Sequence, residues 1–430
     1  MEHASPGPSY EDIKELIQTR SGAELPYLTY ITGEEGSENT RVSYSEFYRH
    51  VLGCARFLQN HGLMRGDRIA TISHNHWHTA VQYFACWLLG LVVIPVNVEE
   101  DDDDIAYILE KGNVELAFVR TEYRTRFRKI LELYDNLKHI EWIVCEGEIS
   151  NFTSEKGTLA YDDSSHANSE ALIVFTSEGN GTLRGALLTQ RNLLEEARAI
   201  ADWHSFAEGT RVMCALPIHH VKSLVLTLVA PFFAGGSAAL AQSFQAPYYF
   251  GDIAAEKVHI ASLEPEHLHA LNQYFEEQEP PPAGALRYMV CEGAAAAGEA
   301  VEIFEKRFDI PVVLGYSLPE TSSYCCFMPV DMDAGERKIW RRQGHPCVGR
   351  PISSSEIAIH NQQGDALGEK EHGEIVIRGS NVMLKYFNDR DANNNVFKHG
   401  WLHSGDEGFY VNDEEGQPYF FVVDGEIRSQ

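Results

Sequence analysis

The amino-acid sequence predicts an α/β protein whose mostly parallel sheets are flanked by helices, followed by a smaller antiparallel, β-barrel-like unit. Up to about residue 350, short apolar runs that suit buried strands alternate with segments of helical periodicity, as in parallel sheets covered on both faces. Beyond that point, shorter strands are separated by turn signals, which is typical of antiparallel hairpins. We therefore expect two interleaved α/β subdomains over residues 1–350 and a β-barrel-like subdomain over residues 351–424.

The individual elements follow from apolar spacing. Residues 44–60 carry apolar side chains at helical intervals and predict an amphipathic helix, whereas continuous apolar runs such as 171–175 predict buried strands. The predicted helices are 10–20, 44–60, 76–89, 105–110, 222–233, 299–308 and one that begins near residue 191 with Thr189 as its N-cap. The predicted strands are 67–73, 91–96, 116–120, 140–145, 171–175, 212–217, 237–240, 287–291 and 311–315.

Composition excludes several classes of function. The chain has 430 residues and a formal net charge of −28, which argues against binding to nucleic acid or to an anionic membrane surface. We expect no membrane-spanning segment, because no apolar stretch is long enough, and no secretion signal, because the first residues lack a basic region followed by an apolar one. The eight cysteines form no C-x-x-C pair, so we expect reduced, buried thiols in a cytoplasmic protein.

The stretch from Ala171 to Arg191 combines a buried strand with a polar, glycine-rich loop. Glycine lets backbone N–H groups approach a phosphate closely, and hydroxyls add further donors. Arg184 adds a planar, charged fork that matches phosphate oxygens. The loop fits neither the Walker A pattern nor G-x-G-x-x-G, and read alone it is equally a mobile surface turn.

Two other charged or histidine-rich patterns favour structural interpretations. The acidic run over residues 99–104 is expected at the start of a helix, where negative charge suits the helix dipole. His74, His76 and His78 alternate along the chain, which does not converge three ligands on one metal ion.

The stretch TSEGNGTLRG, followed by LLTQRN, is one of several motifs that occur in a fixed order along the chain. The others include LLGLVVIPVN, LPIHH, RYMVCEGAAAAG, LGYSLPETS, GHPCVGRP, GEIVIRG and GWLHSGDEGFYVNDEEGQPYFFVVD. Over about residues 40–424 these motifs resemble those of the adenylate-forming superfamily, which includes acyl-CoA synthetases, luciferases and peptide-synthetase adenylation domains, and the first is similar to the phosphate loop of that family. Many motifs in one order make the resemblance specific.

The resemblance implies roles for the matching residues. Adenine would stack on Tyr316, the ribose would be held by Asp406, and Mg²⁺ would be bound by Glu320. An aromatic ring, a carboxylate for hydroxyl groups and a carboxylate for a hard cation suit these tasks. Without the resemblance, Tyr316 also fits packing in the core, Asp406 fits an Asx turn, and Glu320 fits a carboxylate at the start of a helix. The other residues implied to contact the nucleotide are Thr176, Ser177, Gly179, Gly181, Arg184, Gly293, Ala294 and Ser317.

The acid would bind beside His220, which the resemblance counts with Arg184 and Glu320 among the catalytic residues. The small side chains over residues 293–297 leave space for one wall of an acyl slot. A satisfied buried histidine is the alternative for His220. Lys222 either meets a polar group of the acid or extends to solvent.

The chain also departs from the family pattern. Arg184 replaces a lysine, Glu178 and Leu183 replace a glycine and a proline, Pro319 replaces a threonine, and Gly425 follows Asp424 where arginine is common. Asp424 matches the family hinge, so the family's C-terminal domain, with its catalytic lysine, is expected to be missing. The isolated chain would then turn over poorly.

Together, the resemblance implies ATP- and Mg²⁺-dependent activation of a carboxylic acid to acyl-AMP, followed by transfer to coenzyme A. We expect a fatty or aryl acid, and a carrier-protein thiol is the alternative acceptor. A degenerate relative that binds a nucleotide or an acyl group without catalysis is the alternative function. Glu178, Arg184, Pro319 and Gly425 favour this alternative. For Glu178 the reason is that one like-charge pair at 4 Å costs about 4 kcal/mol at an effective dielectric constant near 20.

Overall fold

The computed structural model describes residues 9–33, 38–145, 159–160, 164, 166–177, 182–280, 282–292, 297–341 and 344–426. Its strands are β1 Pro26–Ile31, β2 Thr40–Ser43, β3 Arg68–Ile72, β4 Val92–Val96, β5 Leu116–Arg120, β6 Glu141–Cys145, β7 Glu170–Ser177, β8 Leu183–Thr189, β9 Arg211–Cys214, β10 Ser237–Ala241, β11 Ile260–Leu263, β12 Tyr288–Glu292, β13 Val312–Leu318, β14 Ser323–Phe327, β15 Cys347–Pro351, β16 Ser355–His360, β17 Gly373–Gly379, β18 Lys385–Tyr386, β19 Phe397–Lys398, β20 Trp401–Asn412 and β21 Pro418–Glu426.

The first α-helix precedes β1, and the others lie between the strands. The helices are α1 Ile13–Arg20, α2 Tyr44–Asn60, α3 Trp77–Leu89, α4 Asp102–Lys111, α5 Arg124–Leu133, α6 Gln190–Trp203, α7 Val221–Leu224, α8 Ala230–Ala234, α9 Tyr249–Ala255, α10 Pro265–Tyr274, α11 Ala297–Phe308, α12 Ala334–Arg341 and α13 Arg390–Val396. A π-helical turn, Val225–Val229, joins α7 to α8. No helix among the described residues is both long and apolar enough to cross a membrane.

The smaller sheet has the strand order β18-β8-β7-β4-β3-β5-β6. Its strands from β7 to β6 run parallel, whereas β7 and β8 form an antiparallel hairpin. The strands of this hairpin flank the predicted phosphate loop, and Thr176 lies opposite Arg184. The hairpin therefore places a hydroxyl and a guanidinium side by side at the base of the loop.

The larger sheet has the order β16-β17-β20-β21-β15-β14-β13-β12-β11-β9-β10-β1-β2. Its strands from β13 to β1 run parallel, and the strands from β13 to β16 pair antiparallel. Pairing thus changes from parallel to antiparallel at β13 and β14, before the predicted position near residue 350, and the antiparallel strands continue this sheet through β15. The mixed α/β class with two sheets flanked by helices is confirmed.

Helix α3 explains why the two sheets share one core. Nearly all of its side chains are buried, as expected of a helix that is apolar on every side. Phe84 packs against Tyr27 of the larger sheet, with ring centroids 6.3 Å apart. Trp87 donates a 2.9 Å hydrogen bond from Nε1 to the carbonyl oxygen of Ala171 in the smaller sheet. The helix is therefore covered by both sheets.

Helix boundaries are set by local caps. The predicted helix over 10–20 begins only at Ile13, because the Asp12 side chain accepts a hydrogen bond from the backbone N–H of Glu15. Helix α2 has the predicted bounds, and Ser43 and Glu46 form its capping box. Thr189 caps α6 as predicted. The predicted strand over 212–217 ends at Cys214.

The acidic run lies at a helix start, as the sequence predicts. Asp101 caps α4 by accepting a hydrogen bond from the backbone N–H of Asp104. The first turn of this helix also contains Asp102 and Asp103, where negative charge faces the positive end of the dipole.

Candidate active site

Tyr316 and Asp406 are brought together by the larger sheet. Tyr316 lies near the carboxyl end of β13, the edge at which open α/β sheets bind ligands. Its phenolic hydroxyl donates a hydrogen bond to Oδ2 of Asp406, which lies on β20. The backbone N–H of Asp406 donates to Oγ of Ser404 at 3.0 Å. The residues predicted for adenine and ribose therefore touch each other, although 90 positions separate them in the sequence.

Glu320 meets the base of the phosphate loop through Tyr386. The hydroxyl of Tyr386 donates a 2.8 Å hydrogen bond to Oε1 of Glu320. The guanidinium of Arg184 lies over the same ring, 5.6 Å from its centroid. Nε of Arg184 is 3.6 Å from Oδ2 of Asp389. Strand pairing holds this arrangement, because Tyr386 on β18 lies opposite Ala186 on β8. The predicted metal ligand and the predicted phosphate-binding arginine thus share one neighbour.

The electrostatic surroundings of Glu320 favour a cation. Burial raises the pKa of its carboxyl above the usual value, and the nearby negative charge of Asp406 raises it further. The Tyr386 hydrogen bond and the positive charge of Arg184 oppose this rise. A divalent cation beside Glu320 would offset the repulsion between the carboxylates of Glu320 and Asp406. Because Mg²⁺ is commonly held by one or two carboxylates together with phosphate oxygens, the residues present fit such an ion.

The tip of the phosphate loop lies outside the described residues. This holds for Gly179 and Gly181, for Glu178, and for Gly293 and Ala294 in the small-residue run. The backbone of Ser177 is described as the last residue of β7, and Thr176 is half-buried beside it. Pro319 begins the 3₁₀ turn that carries Glu320. These predicted contacts with the nucleotide stay predictions.

His220 lies beside a pair of carboxylates that hold a lysine. Nζ of Lys222 is 3.0 Å from Oε1 of Glu264 and also contacts Oε2 of Glu292. Only 16% of the Lys222 side chain is exposed, so most of it is buried and its ammonium group meets carboxylates of the protein. The His220 residue is exposed, yet burial by surrounding atoms and the charge of Lys222 lower the pKa of its imidazole. The His220 side chain is therefore crowded by neighbouring atoms and still reached by solvent.

Ser317 connects this group to the nucleotide residues. Its hydroxyl donates a 2.7 Å hydrogen bond to Oε1 of Glu292. Ser317 follows Tyr316 directly in β13, and Glu292 directly precedes the small-residue run at Gly293. The charged group therefore lies next to the segment predicted to contact both the nucleotide and the acid.

Sequence reasoning missed Tyr386, Asp389, Glu264 and Glu292. A signal existed for the two glutamates, because each stands at the end of a buried strand, β11 and β12, where ligand contacts gather in open sheets. No comparable signal marks Tyr386, whose place follows from pairing between β18 and β8.

The three alternating histidines His74, His76 and His78 lie at or just before the start of α3. His76 caps α3 by accepting a hydrogen bond from the backbone N–H of His78 at 3.1 Å. His74 contacts the hydroxyl of Tyr123 at 3.4 Å through Nδ1. Among the described residues, the side chains whose possible metal-ligand atoms lie close together are instead those of Glu264, Glu266 and His267, within 4.8 Å of one another.

An α/β fold that gathers an aromatic ring and carboxylates at the carboxyl edge of its larger sheet, beside an arginine of the adjoining hairpin, has the residues expected of a nucleotide-binding α/β protein. A model of the AMP-binding enzyme family matches residues 19–387, and the chain belongs to this family. The resemblance seen in the sequence is thereby confirmed. AMP-binding CoA ligases use ATP, Mg²⁺ and coenzyme A, which are the cofactors the sequence predicts.

Curated relatives include several CoA ligases. Sulfoacetate–CoA ligase of Cupriavidus necator is 28% identical over 368 residues, which cover 84% of this chain and 68% of the relative. Crotonobetaine/carnitine–CoA ligase of Citrobacter koseri is 25% identical over 411 residues, covering 91% of this chain and 75% of the relative. Luciferin 4-monooxygenase of Photuris pensylvanica is 25% identical over 429 residues, which cover 94% of this chain and 74% of the relative.

Solved structures agree with this fold. The inhibitor-bound N-terminal domain of FACL13 from Mycobacterium tuberculosis superposes with a TM-score of 0.84 at 22% identity, covering 96% of this chain and all of that domain. ATP-bound MatB from Rhodopseudomonas palustris gives a TM-score of 0.81 at 20% identity, covering 96% of this chain and 78% of MatB. At these identities the likeness establishes the fold.

Proposed function

We propose that this chain takes part in an acid–thiol ligase reaction of the acyl-CoA synthetase type. A carboxylate oxygen of the acid attacks the α-phosphorus of ATP, so that acyl-AMP forms and pyrophosphate leaves. A thiol then attacks the acyl carbon, giving a thioester and AMP. The observation that carries this proposal is the convergence of Tyr316, Asp406, Glu320 and Arg184 at one edge of the larger sheet and the adjoining hairpin.

Each residue has a role that follows from its chemistry. Asp406 accepts hydrogen bonds from the ribose hydroxyls, and the ring of Tyr316 lies against the adenine. Thr176, Ser177 and the backbone around Gly179 and Gly181 donate to the phosphates. Arg184 stabilises the negative charge that develops on the phosphoryl group, and Glu320 holds Mg²⁺.

The acid binds beside His220 and the segment that starts at Gly293. The relatives act by name on sulfoacetate, carnitine or crotonobetaine, and ferulate, so the family accepts chemically different acids. The sequence favours a fatty or aryl acid. The charged side chains of Lys222, Glu264 and Glu292 close to His220 in the sequence or in space favour a polar acid instead. Coenzyme A is the proposed thiol because several of the relatives are CoA ligases.

The proposed location is the cytoplasm. All eight cysteines are buried and none forms a disulfide. This pattern agrees with a reducing compartment.

The second candidate is a relative that binds a nucleotide without catalysis. Glu178 and Pro319 favour it, because the first adds a negative charge to the phosphate loop and the second replaces a hydroxyl. Calorimetry with ATP in the presence and absence of Mg²⁺ separates the two candidates. A catalytic site requires binding that depends on Mg²⁺.

The test of the proposed ligase is ATP–pyrophosphate exchange over a panel of acids. Exchange that requires both Mg²⁺ and one class of acid supports acyl-AMP formation. Exchange with no acid in the panel, combined with ATP binding that ignores Mg²⁺, contradicts it.

A further inference from the structure

Four neighbouring strands of the larger sheet direct polar side chains to one place. In the order β13-β12-β11-β9, each strand ends at the same edge. Ser317 lies near the end of β13, Glu292 ends β12, Glu264 follows β11, and Lys222 lies in the helix after β9. Open parallel sheets bind ligands at this edge. We call these four residues the ion-pair cluster.

The cluster is closely bonded but still reached by solvent. Glu292 accepts hydrogen bonds on both carboxylate oxygens, from Ser317 on Oε1 and from Lys222 on Oε2. The exposed fractions of the side chains are 16% for Lys222, 20% for Glu264 and 32% for Glu292. These values are those of partly buried groups, since a sealed core would exclude solvent from them.

The charges in the cluster do not balance. The single ammonium of Lys222 faces the two carboxylates of Glu264 and Glu292, and burial alone would lower the pKa of Lys222 while these carboxylates raise it. Glu266, adjoining Glu264 in the same helix start, adds another carboxylate. A ligand with a positive charge beside the ion-pair cluster would reduce this excess of negative charge. A ligand with a negative charge would increase it and would compete with both glutamates for the ammonium group of Lys222.

We propose that the acid activated by this chain is short and carries an ammonium group at the end remote from its carboxylate, bound by Glu264 and Glu292. This inference rests on the proposed ligase function. The acid is short because Ser317, a member of the cluster, directly follows Tyr316 of the nucleotide site. A fatty acid is disfavoured because its methylene groups would displace water from charged groups without replacing their hydrogen bonds.

The test uses three acids of nearly equal length with different ends. These are 4-aminobutanoate, pentanoate and glutarate, together with shorter and longer homologues of each and with hexadecanoate. In ATP–pyrophosphate exchange, we expect the KM for the amino acid to be about 10- to 100-fold lower than for its uncharged or anionic counterpart, the value of a charge-assisted hydrogen bond.

Two variants test whether Glu264 and Glu292 cause the preference for an acid with a terminal ammonium group. Glu292→Gln and Glu264→Gln should each remove most of this difference by raising the KM for the amino acid while leaving that for pentanoate nearly unchanged. Glu302→Gln, an exposed carboxylate on α11, is the matched control and should keep the parent ratio. The comparison of acids on the parent chain does not depend on the folding of any variant.

Failure of this inference can be told apart from failure of the ligase proposal. A lower KM for pentanoate, glutarate or hexadecanoate than for 4-aminobutanoate overturns the substrate class while ligase activity stands. If no acid supports exchange, the ligase proposal fails. The affinities of 4-aminobutanoate and pentanoate, measured by calorimetry, then still compare an acid that ends in an ammonium group with one that ends in a methyl group. Equal binding, or no binding of the amino acid, then overturns the substrate class as well.

Discussion

The hydroxyl of Tyr386 donates a 2.8 Å hydrogen bond to Oε1 of Glu320, and the guanidinium of Arg184 lies over the same tyrosine ring. Three segments far apart in the sequence meet in this contact. The hairpin of β7 and β8 brings the arginine, the turn after β13 brings the carboxylate, and β18 brings the tyrosine. The base of the predicted phosphate loop and the predicted metal ligand are therefore linked through Tyr386.

Replacing Glu320 should impair metal binding without harming the fold. Because burial raises the pKa of this carboxyl, the neutral amide in Glu320→Gln suits its surroundings at least as well as the parent carboxylate. We expect unchanged or higher thermal stability. Removing a metal ligand should lower the Mg²⁺-dependent ATP affinity about 10- to 100-fold, as measured by calorimetry. Equal dependence on Mg²⁺ in parent and variant would show that Glu320 does not bind the ion.

Arg184 should act through its charge and its planar geometry. We expect Arg184→Lys to retain more ATP affinity than Arg184→Ala, since lysine keeps the charge but loses the two-pronged contact. Arg378→Ala is a matched control, because Arg378 also pairs with a carboxylate, Glu356 at 2.7 Å, and lies 4.3 Å from the centroid of the Trp401 ring. ATP affinity equal to the parent in Arg184→Ala would mean that the hairpin is only a structural turn.

The contact between Tyr316 and Asp406 predicts two unequal effects. Asp406→Ala should weaken ATP binding by about 2–3 kcal/mol, because charge-assisted hydrogen bonds to the ribose are lost. Tyr316→Phe keeps the ring and removes only the hydroxyl that Asp406 accepts, so a loss of about 1 kcal/mol is expected. Titration calorimetry measures both. An equal loss in the two variants would assign Asp406 to the support of the tyrosine and not to the ribose.

A buried carboxyl in α6 makes stability depend on pH. Glu196 accepts hydrogen bonds of 2.9 Å from Oγ of Ser354 and from Nδ2 of Asn381. Burial raises its pKa from 4.5 to about 8, in spite of these hydrogen bonds. Between these values the unfolded chain releases a proton that the folded chain retains. The free energy of unfolding therefore falls as the pH rises, by about 1.4 kcal/mol per pH unit.

The variant Glu196→Gln should remove this contribution. Urea unfolding between about pH 5 and about pH 8 should then show a flatter pH dependence than in the parent. The neighbouring Glu195→Gln is the control, because Glu195 lies on the same helix and pairs with Arg198 at the surface. A parallel pH dependence in parent and Glu196→Gln would contradict a buried, protonated Glu196.

Local sequence patterns predicted those parts of the fold that local forces decide. The helix Tyr44–Asn60 has its predicted bounds because a capping box and an amphipathic face both lie within it. The end of the predicted strand over 212–217 was wrong by three residues, since the chain leaves the sheet after Cys214. The π-helical turn at Val225–Val229 lies in a buried apolar run, and such a run gives no local signal that separates a π-helical turn from an α-helix.

The candidate site was predictable only in part for a similar reason. Tyr316, Glu320 and Asp406 were found through motifs that each lie within one segment. The Lys222 contacts depend on where strands β11 and β12 end relative to each other in space. The sequence left open whether Lys222 meets a polar group or solvent, and neither glutamate partner was identified.

The most direct test of the central claim follows an oxygen atom from the acid. The acid that supports exchange is labelled with ¹⁸O in its carboxylate and incubated with the chain, ATP, Mg²⁺ and coenzyme A, and the released nucleotide is analysed by mass spectrometry. If the carboxylate attacks the α-phosphorus, each AMP carries one ¹⁸O for each thioester formed. Unlabelled AMP, or release of ADP in its place, would contradict activation of the acid through acyl-AMP.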